Sequence, residues 1–213
     1  MSVDNILSTL KRDGFVDLDE CGLYPSPEVI DELTYLSKVG KRERRRVNGG
    51  RIPMWIPKSK LSKSAMATFD KFSKPLGFES KWCQILIVPA DSGSQYVHRD
   101  FHDGAMRHLI VGVSLNPKQK LKTLISKGTH EEEFIEQGNL EKYELTPSNT
   151  RMYLLDAQCV HCGSPSIEED SARFFIHLLP CDTTCNEMVT VIQNQDVPLR
   201  LVPTNLRKYL DDY

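Results

Sequence analysis

No stretch of this sequence approaches the roughly 20 consecutive apolar residues that a bilayer-spanning helix requires, so no membrane partner is expected. Charge of one sign is also lacking: 27 basic against 29 acidic residues leave a net charge of −2. No global field would draw in nucleic acid or an anionic membrane, and any polyanion contact would be local. Internal repeats and low-complexity tracts are absent. The opening residues 1–14 alternate polar and apolar side chains and lack the basic flank and apolar run of a secretory signal, so an intracellular, cytoplasmic location is expected. Cysteine is sparse, six in 213 residues. Without an export signal these are expected as reduced thiols rather than a disulfide framework.

What remains is enough chain for one substantial core. A single domain over 1–213 is expected, with 1–80 a mostly helical N-terminal support and 81–195 a β core. Residues 4–13 predict a short helix ended by Gly14, followed by a strand at 15–18. Ser26, Pro27 and Glu28 supply a cap, a first-turn proline and an acidic first turn. Val29, Ile30, Leu33, Leu36 and Val39 then follow at helical spacing up to Gly40. A third helix is expected over 61–72. From Lys81 the pattern changes to short apolar runs at 82–89, 107–116, 151–157, 172–179 and 188–192, bounded by turn residues, which argues for a sandwich or barrel. The segment 117–147 reads as an insertion, with a hairpin strand near 121–126 and an acidic helix headed by His130.

The chemistry concentrates at His98-Arg99-Asp100. In an extended segment residues i and i+2 share a face, so His98 and Asp100 can converge on one ion while Arg99 points away. The strand Ile85-Leu-Ile-Val-Pro89 and the loop Ala90-Asp-Ser-Gly-Ser94 lead into this tripeptide and Asp103-Gly104 turns out of it, which puts both side chains at a sheet rim. A third ligand from another strand is available in His161, after the run Tyr153-Leu-Leu-Asp156. Two imidazoles and a carboxylate on one side of a metal leave positions open, an arrangement suited to Fe(II) and O2. Downstream, Arg173, Phe175 and His177 alternate with Phe174, Ile176 and Leu178, so one face is core and the other carries a buried arginine. Such a cation calls for an anion, and a dicarboxylate would pair with it bidentately.

These residues carry a resemblance. The run 88–100, the strand 107–116, the run Pro147-Ser-Asn-Thr-Arg-Met-Tyr-Leu-Leu-Asp156, then His161-Cys-Gly-Ser-Pro165 and Arg173, resemble the core of the Fe(II)/2-oxoglutarate-dependent dioxygenases. The strand order is similar to that of the prolyl-hydroxylase branch. The opening Leu10-Lys-Arg-Asp-Gly-Phe-Val16 resembles the entry of phytanoyl-CoA dioxygenase-like members. The resemblance implies a mainly β, α+β fold built on a double-stranded β-helix of the jelly-roll or cupin kind. It also implies Fe(II) on His98, Asp100 and His161, the 2-oxoglutarate carboxylate on Arg173, and O2 as co-substrate. The implied reaction hydroxylates a C–H bond of a peptidyl side chain or small metabolite, releasing succinate and CO2. Val88 stands where oxygen-sensing prolyl hydroxylases have a tyrosine that contacts 2-oxoglutarate, and Gln95 or Tyr96 is expected to replace it. Phe174-Phe175 departs from the Arg-x-Ser pattern of the plant and antibiotic-biosynthesis branch, which this disfavours.

His102, four residues after His98, would mimic a zinc-protease pair only on a helix and with a following glutamate, and neither condition holds. His108 and His177 read as strand positions satisfied by hydrogen bonds or solvent. Cys159-x-x-Cys162 with Cys181-x-x-x-Cys185 supplies the alternative, a structural zinc site in a non-enzymatic, cupin-like binding module. The basic run Lys41-Arg-Glu-Arg-Arg-Arg46 reads as a solvated loop, or as a grip for an acidic peptide, a phosphate-bearing ligand or nucleic acid. Trp55, between Pro53 and Pro57, is expected at the substrate mouth.

Overall fold

The computed structural model describes residues 2–40, 42, 47–100, 108–127, 145–165, 170–194, 202 and 206. The expectations for most of the basic run, for His102, for the turn at 103–104, for His130 and for most of the 117–147 insertion lie outside the described residues.

Helix α1 (Val3–Asp13) starts where the Ser2 hydroxyl accepts the Asn5 amide N–H at 3.3 Å, and ends at Gly14, whose φ of 69° is left-handed. Strand β1 (Phe15–Asp17) follows, then α2 (Pro27–Val39), β2 (Ile52–Ile56) and α3 (Lys63–Ser73), the last capped by Ser62. Beyond these come β3 (Phe78–Val88), β4 (Leu109–Ser114), β5 (Thr123–Ser126), β6 (Leu145–Pro147), β7 (Met152–Asp156), β8 (His161–Gly163) and β9 (Ser171–Pro180). Gly40 caps α2, its N–H donating to the Leu36 carbonyl, and a Cβ there would lie 2.1 Å from the Met54 sulfur.

Six strands form one antiparallel sheet in the order β1-β7-β4-β9-β3-β2, and three form a second, β6-β5-β8. The N-terminal third therefore supplies both outer strands of the large sheet as well as helices. β2 escaped the sequence reading because Pro53 sits inside it, and an edge strand is where a sheet tolerates proline.

The two-residue period sorts the large sheet into two faces. Val16, Met54, Cys83, Ile85, Val111, Leu154, Phe174 and Ile176 join Leu10, Leu33, Phe69 and Phe72 from the helices in one apolar core. Phe174 and Phe69 meet there at a ring-centroid distance of 5.6 Å, and truncating either to alanine would cost about 3–5 kcal/mol. The other face carries Trp55, Trp82 and Ile110, which cluster with Val202 and Leu206, and Tyr153 and Leu155, over which Leu121, Ile125 and Cys159 close.

The run at 188–192 is a helix, not a strand: α4 covers Cys185–Asn194. Its β-branched residues suggested a strand, but a capping box overrides them. The Thr184 backbone N–H and hydroxyl donate to the Glu187 carboxylate at 2.7 Å each, and the Glu187 N–H returns to the Thr184 hydroxyl at 3.4 Å. Met188 and Val189 pack the helix onto the Trp55 and Trp82 cluster.

Candidate metal centre

His98 lies in an irregular segment after β3, and the backbone pairing that places it is an isolated antiparallel bridge to His161, the first residue of β8. The two residues exchange both N–H to carbonyl bonds at 3.0 Å, and their rings sit 4.5 Å apart. Each Nδ1 faces a carbonyl oxygen, Tyr96 at 2.7 Å for His98 and Cys159 at 2.9 Å for His161. A carbonyl can only accept, so each Nδ1 carries a proton and each Nε2 presents a lone pair. Both Nε2 atoms face Asp100, at 3.6 Å from Oδ1 for His98 and 3.4 Å from Oδ2 for His161. One nitrogen or oxygen from each of the three residues falls within 4.8 Å of the others, and this is the sole such group among the described residues.

The electrostatics of the cluster match a cation site. Burial opposes the Asp100 charge, but the two imidazoles, His161 first, outweigh it and hold the carboxyl well below the usual carboxylate range. Burial likewise pushes His161 down, and Asp100 more than offsets that, leaving it above the ordinary imidazole value. Two neutral-capable Nε2 donors and one carboxylate are the donor set of an open, three-ligand Fe(II) site. The residues present fit that ion.

The triad opens onto a cavity of about 430 Å3 lined by residues of both sheets and the 95–100 segment, within the usual range for small-molecule sites. Arg173 lies in its wall, 6% exposed, donating to the Lys122 carbonyl at 3.1 Å and the Thr123 hydroxyl at 3.4 Å. No carboxylate forms an ion pair with it among the described residues. Beside it stands Tyr153, whose hydroxyl burial pushes up to about 12, so it stays a neutral donor. Behind lies Arg51, 0% exposed, donating to the carbonyls of Gly93 at 3.0 Å and Ser164 at 2.8 Å. Burial first, and then the neighbouring Arg173, lower it to about 10. This end of the cavity is thus strongly electropositive.

The expected alternation of β9 is present: Arg173, Phe175 and His177 all line the cavity. Gln95 and Tyr96 line it too, although the Gln95 side-chain oxygen already accepts the Gly163 N–H at 2.9 Å and Tyr96 is 62% exposed at the mouth. Tyr153 and Thr123, next to Arg173, escaped the sequence reading. They arrive from strands far away in the chain, and only the pairing register brings them there.

Two expectations are corrected. Arg99 does not point away but is buried in the same cavity wall as its neighbours; residues 89–100 form no strand, only an isolated bridge at His98, so strand alternation does not govern this segment. Trp55 is not at the mouth; it is 6% exposed and stacks behind His177 at 5.9 Å. Of the four cysteines proposed for zinc, the three whose side chains are described diverge. Cys159 is buried with Tyr153 and Ile125, Cys162 with Val97 and Val160, and Cys181 is exposed.

No protein-family model matches the chain, and no curated protein does. Solved structures do. The non-heme alpha-ketoglutarate-dependent epimerase SnoN from nogalamycin biosynthesis is 14% identical over 83% of this chain and 82% of its own, with a TM-score of 0.61. HygX from Streptomyces hygroscopicus, with nickel and 2-oxoglutarate bound, is 13% identical over 84% and 88%, TM-score 0.62. The non-heme alpha-ketoglutarate-dependent carbocyclase SnoK, also from nogalamycin biosynthesis, is 13% identical over 85% and 87%, TM-score 0.60. Two facing antiparallel sheets, a histidine–aspartate–histidine cluster at their rim and these likenesses together give the chain the double-stranded β-helix fold of the non-heme, 2-oxoglutarate-dependent enzymes.

Proposed function

We propose that the chain is an Fe(II)- and 2-oxoglutarate-dependent oxygenase that hydroxylates a C–H bond of a small molecule. The observation that carries this is one cavity holding the His98, Asp100 and His161 cluster and a buried arginine with only neutral hydrogen-bond partners among the described residues.

His98, Asp100 and His161 would hold the ion, and the Tyr96 and Cys159 carbonyls orient the two imidazoles so that Nε2 faces it. Arg173 takes the distal carboxylate of 2-oxoglutarate, with the Thr123 and Tyr153 hydroxyls as further donors and Arg51 adding to the field. When bound, the ion would supply the chemistry by which O2, the oxidant, takes two electrons from 2-oxoglutarate, one oxygen atom going into succinate as CO2 leaves and the other being left for the substrate C–H bond. The protein's own part is to fix the co-substrate, keep coordination positions open and exclude bulk water with Ile110, Leu86 and Phe175. SnoN has been solved with nogalamycin RO and HygX with hygromycin B, and the concave site here suits a small molecule better than a peptide.

The test is succinate release with Fe(II), 2-oxoglutarate and pooled small metabolites, against peptide and nucleotide pools. Release stimulated by a small-molecule pool and abolished in Asp100→Ala is expected. Protein that binds neither Fe(II) nor 2-oxoglutarate would overturn the reading, and hydroxylation replaced by epimerisation or ring closure in the product would correct the reaction type.

A further inference from the structure

His177 and His108 form a pair the oxygenase chemistry does not use. His177 Nδ1 lies 3.2 Å from His108 Nε2, and both rings are at least nine-tenths buried. Their environment keeps them uncharged: burial, joined at His108 by the neighbouring His177, lowers His108 to about 3, and burial lowers His177 to about 4. A neutral imidazole carries one donor and one acceptor. The contact with His108 occupies Nδ1 of His177, and whichever ring gives the proton, Nε2 of His177 keeps one unspent hydrogen-bonding capacity. That atom is buried and meets no protein partner among the described residues, in a side chain that lines the cavity.

A buried polar nitrogen left unsatisfied is unfavourable, and here the ring is held on two sides. Trp55 stacks on it at 5.9 Å, and His108 holds its other edge. Along β9 it stands four residues from Arg173, roughly 13 Å at strand rise, so it is out of reach of a co-substrate carboxylate held by that arginine. Gln84, on β3 opposite Phe175, adds a second uncharged polar side chain to the same wall, while Ile110 and Phe175 supply apolar surface between.

We infer that His177, braced by His108 and Trp55, is the specificity-determining residue of the substrate subsite, hydrogen-bonding a hydroxyl or other uncharged polar group on an otherwise apolar ring or chain. This rests on the oxygenase reading for what the substrate undergoes, but not for what the subsite binds. A site built around such a nitrogen rejects an analogue lacking the polar group, because the imidazole is then left unpaired.

Two size-matched probes, cyclohexanol and methylcyclohexane, test it on the full chain loaded with Zn(II) and 2-oxoglutarate. Binding is followed by calorimetry and by the 15N signals of histidines. Cyclohexanol is expected to bind about 10- to 100-fold more tightly than methylcyclohexane and to shift the His177 nitrogens. In His177→Phe that preference should vanish. His177→Gln, which can return an amide near the Nε2 position, should restore part of it. Equal affinity for the two probes, binding of neither, unmoved His177 signals, or a preference that survives His177→Phe would each overturn the inference. Should Zn(II) or 2-oxoglutarate fail to bind, the oxygenase reading falls, while the probe preference still reports on the subsite.

Discussion

The ring of Tyr153 fills the space that any side chain on Gly112 would need: a Cβ at 112 would lie 2.5 Å from Tyr153 Cζ and 2.8 Å from its hydroxyl oxygen. The two are register partners on β4 and β7, so the missing side chain lets the phenol lie flat against the sheet, next to Arg173.

Gly112→Ala should therefore push Tyr153 off its position, at a stability cost of about 1–3 kcal/mol for overpacking. The apparent constant for 2-oxoglutarate should rise on the order of tenfold through loss of one donor, with Fe(II) affinity near wild type. Tyr153→Phe in the same titration separates the hydroxyl from the ring. A Gly112→Ala protein with unchanged 2-oxoglutarate affinity would show that Tyr153 is only packing.

Arg173 rests on charge pairing, so its loss should separate co-substrate binding from metal binding. Arg173→Met should weaken 2-oxoglutarate on the order of 100-fold or more, since about 1.4 kcal/mol is a factor of ten and unpairing a buried charge costs several such factors. Arg173→Lys keeps the charge but loses the fork, and an intermediate effect is expected. Unchanged 2-oxoglutarate titration in Arg173→Met places the dicarboxylate elsewhere.

Protons and metal compete for the same nitrogen on His161, whose value Asp100 raises above the ordinary imidazole range. Metal affinity should fall as pH drops through that raised value, and binding above it should release fewer protons, measurable by calorimetry in buffers of different ionisation enthalpy. Asp100→Ala and His161→Ala should each cost more than the 10- to 100-fold typical of losing an outer partner. Wild-type iron occupancy in either variant rules out the ligand assignment.

The His108 and His177 pair makes acid the weak side of the fold. Their folded-state values, about 3 and about 4, lie below the unfolded value near 6.5, so only the unfolded chain takes up these protons in between. Stability is full above about pH 6.5 and declines toward pH 4, by up to about 1.4 kcal/mol per pH unit for each histidine. Replacing both by glutamine should flatten this decline in urea midpoints measured from pH 7 to 4. An equally steep slope in the double variant would assign it to other groups.

Part of the site was legible because the spacing of its residues is local, whereas His161 joins His98 from a distant strand through their backbone bridge. His98 and Asp100 sit two apart, and Arg173, Phe175 and His177 follow a strand's two-residue alternation, so a short window carries their geometry. Tyr153 and Thr123 were not legible, since nothing near them in the chain says that Gly112 will pair with one and that the small sheet will bring the other to Arg173. α4 was misread for a different reason: its composition favours a strand, and the deciding contacts come from Thr184 and Glu187, just ahead of the apolar run and at its threshold. Arg99 was misplaced by extending strand alternation past the point where the backbone stops being a strand.

The order β1-β7-β4-β9-β3-β2 has a consequence for how the chain can be cut. Residues 78–180 contain the metal cluster, the cavity arginine and most of both sheets, yet a fragment starting at Phe78 would lay bare the flanks of β7 and β3 at once. Two apolar strand borders with unpaired N–H and carbonyl groups are templates for self-association. The residues ahead of Phe78 act as a hem stitched along both sides of the fabric, and removing them should leave a chain that precipitates rather than a smaller folded unit.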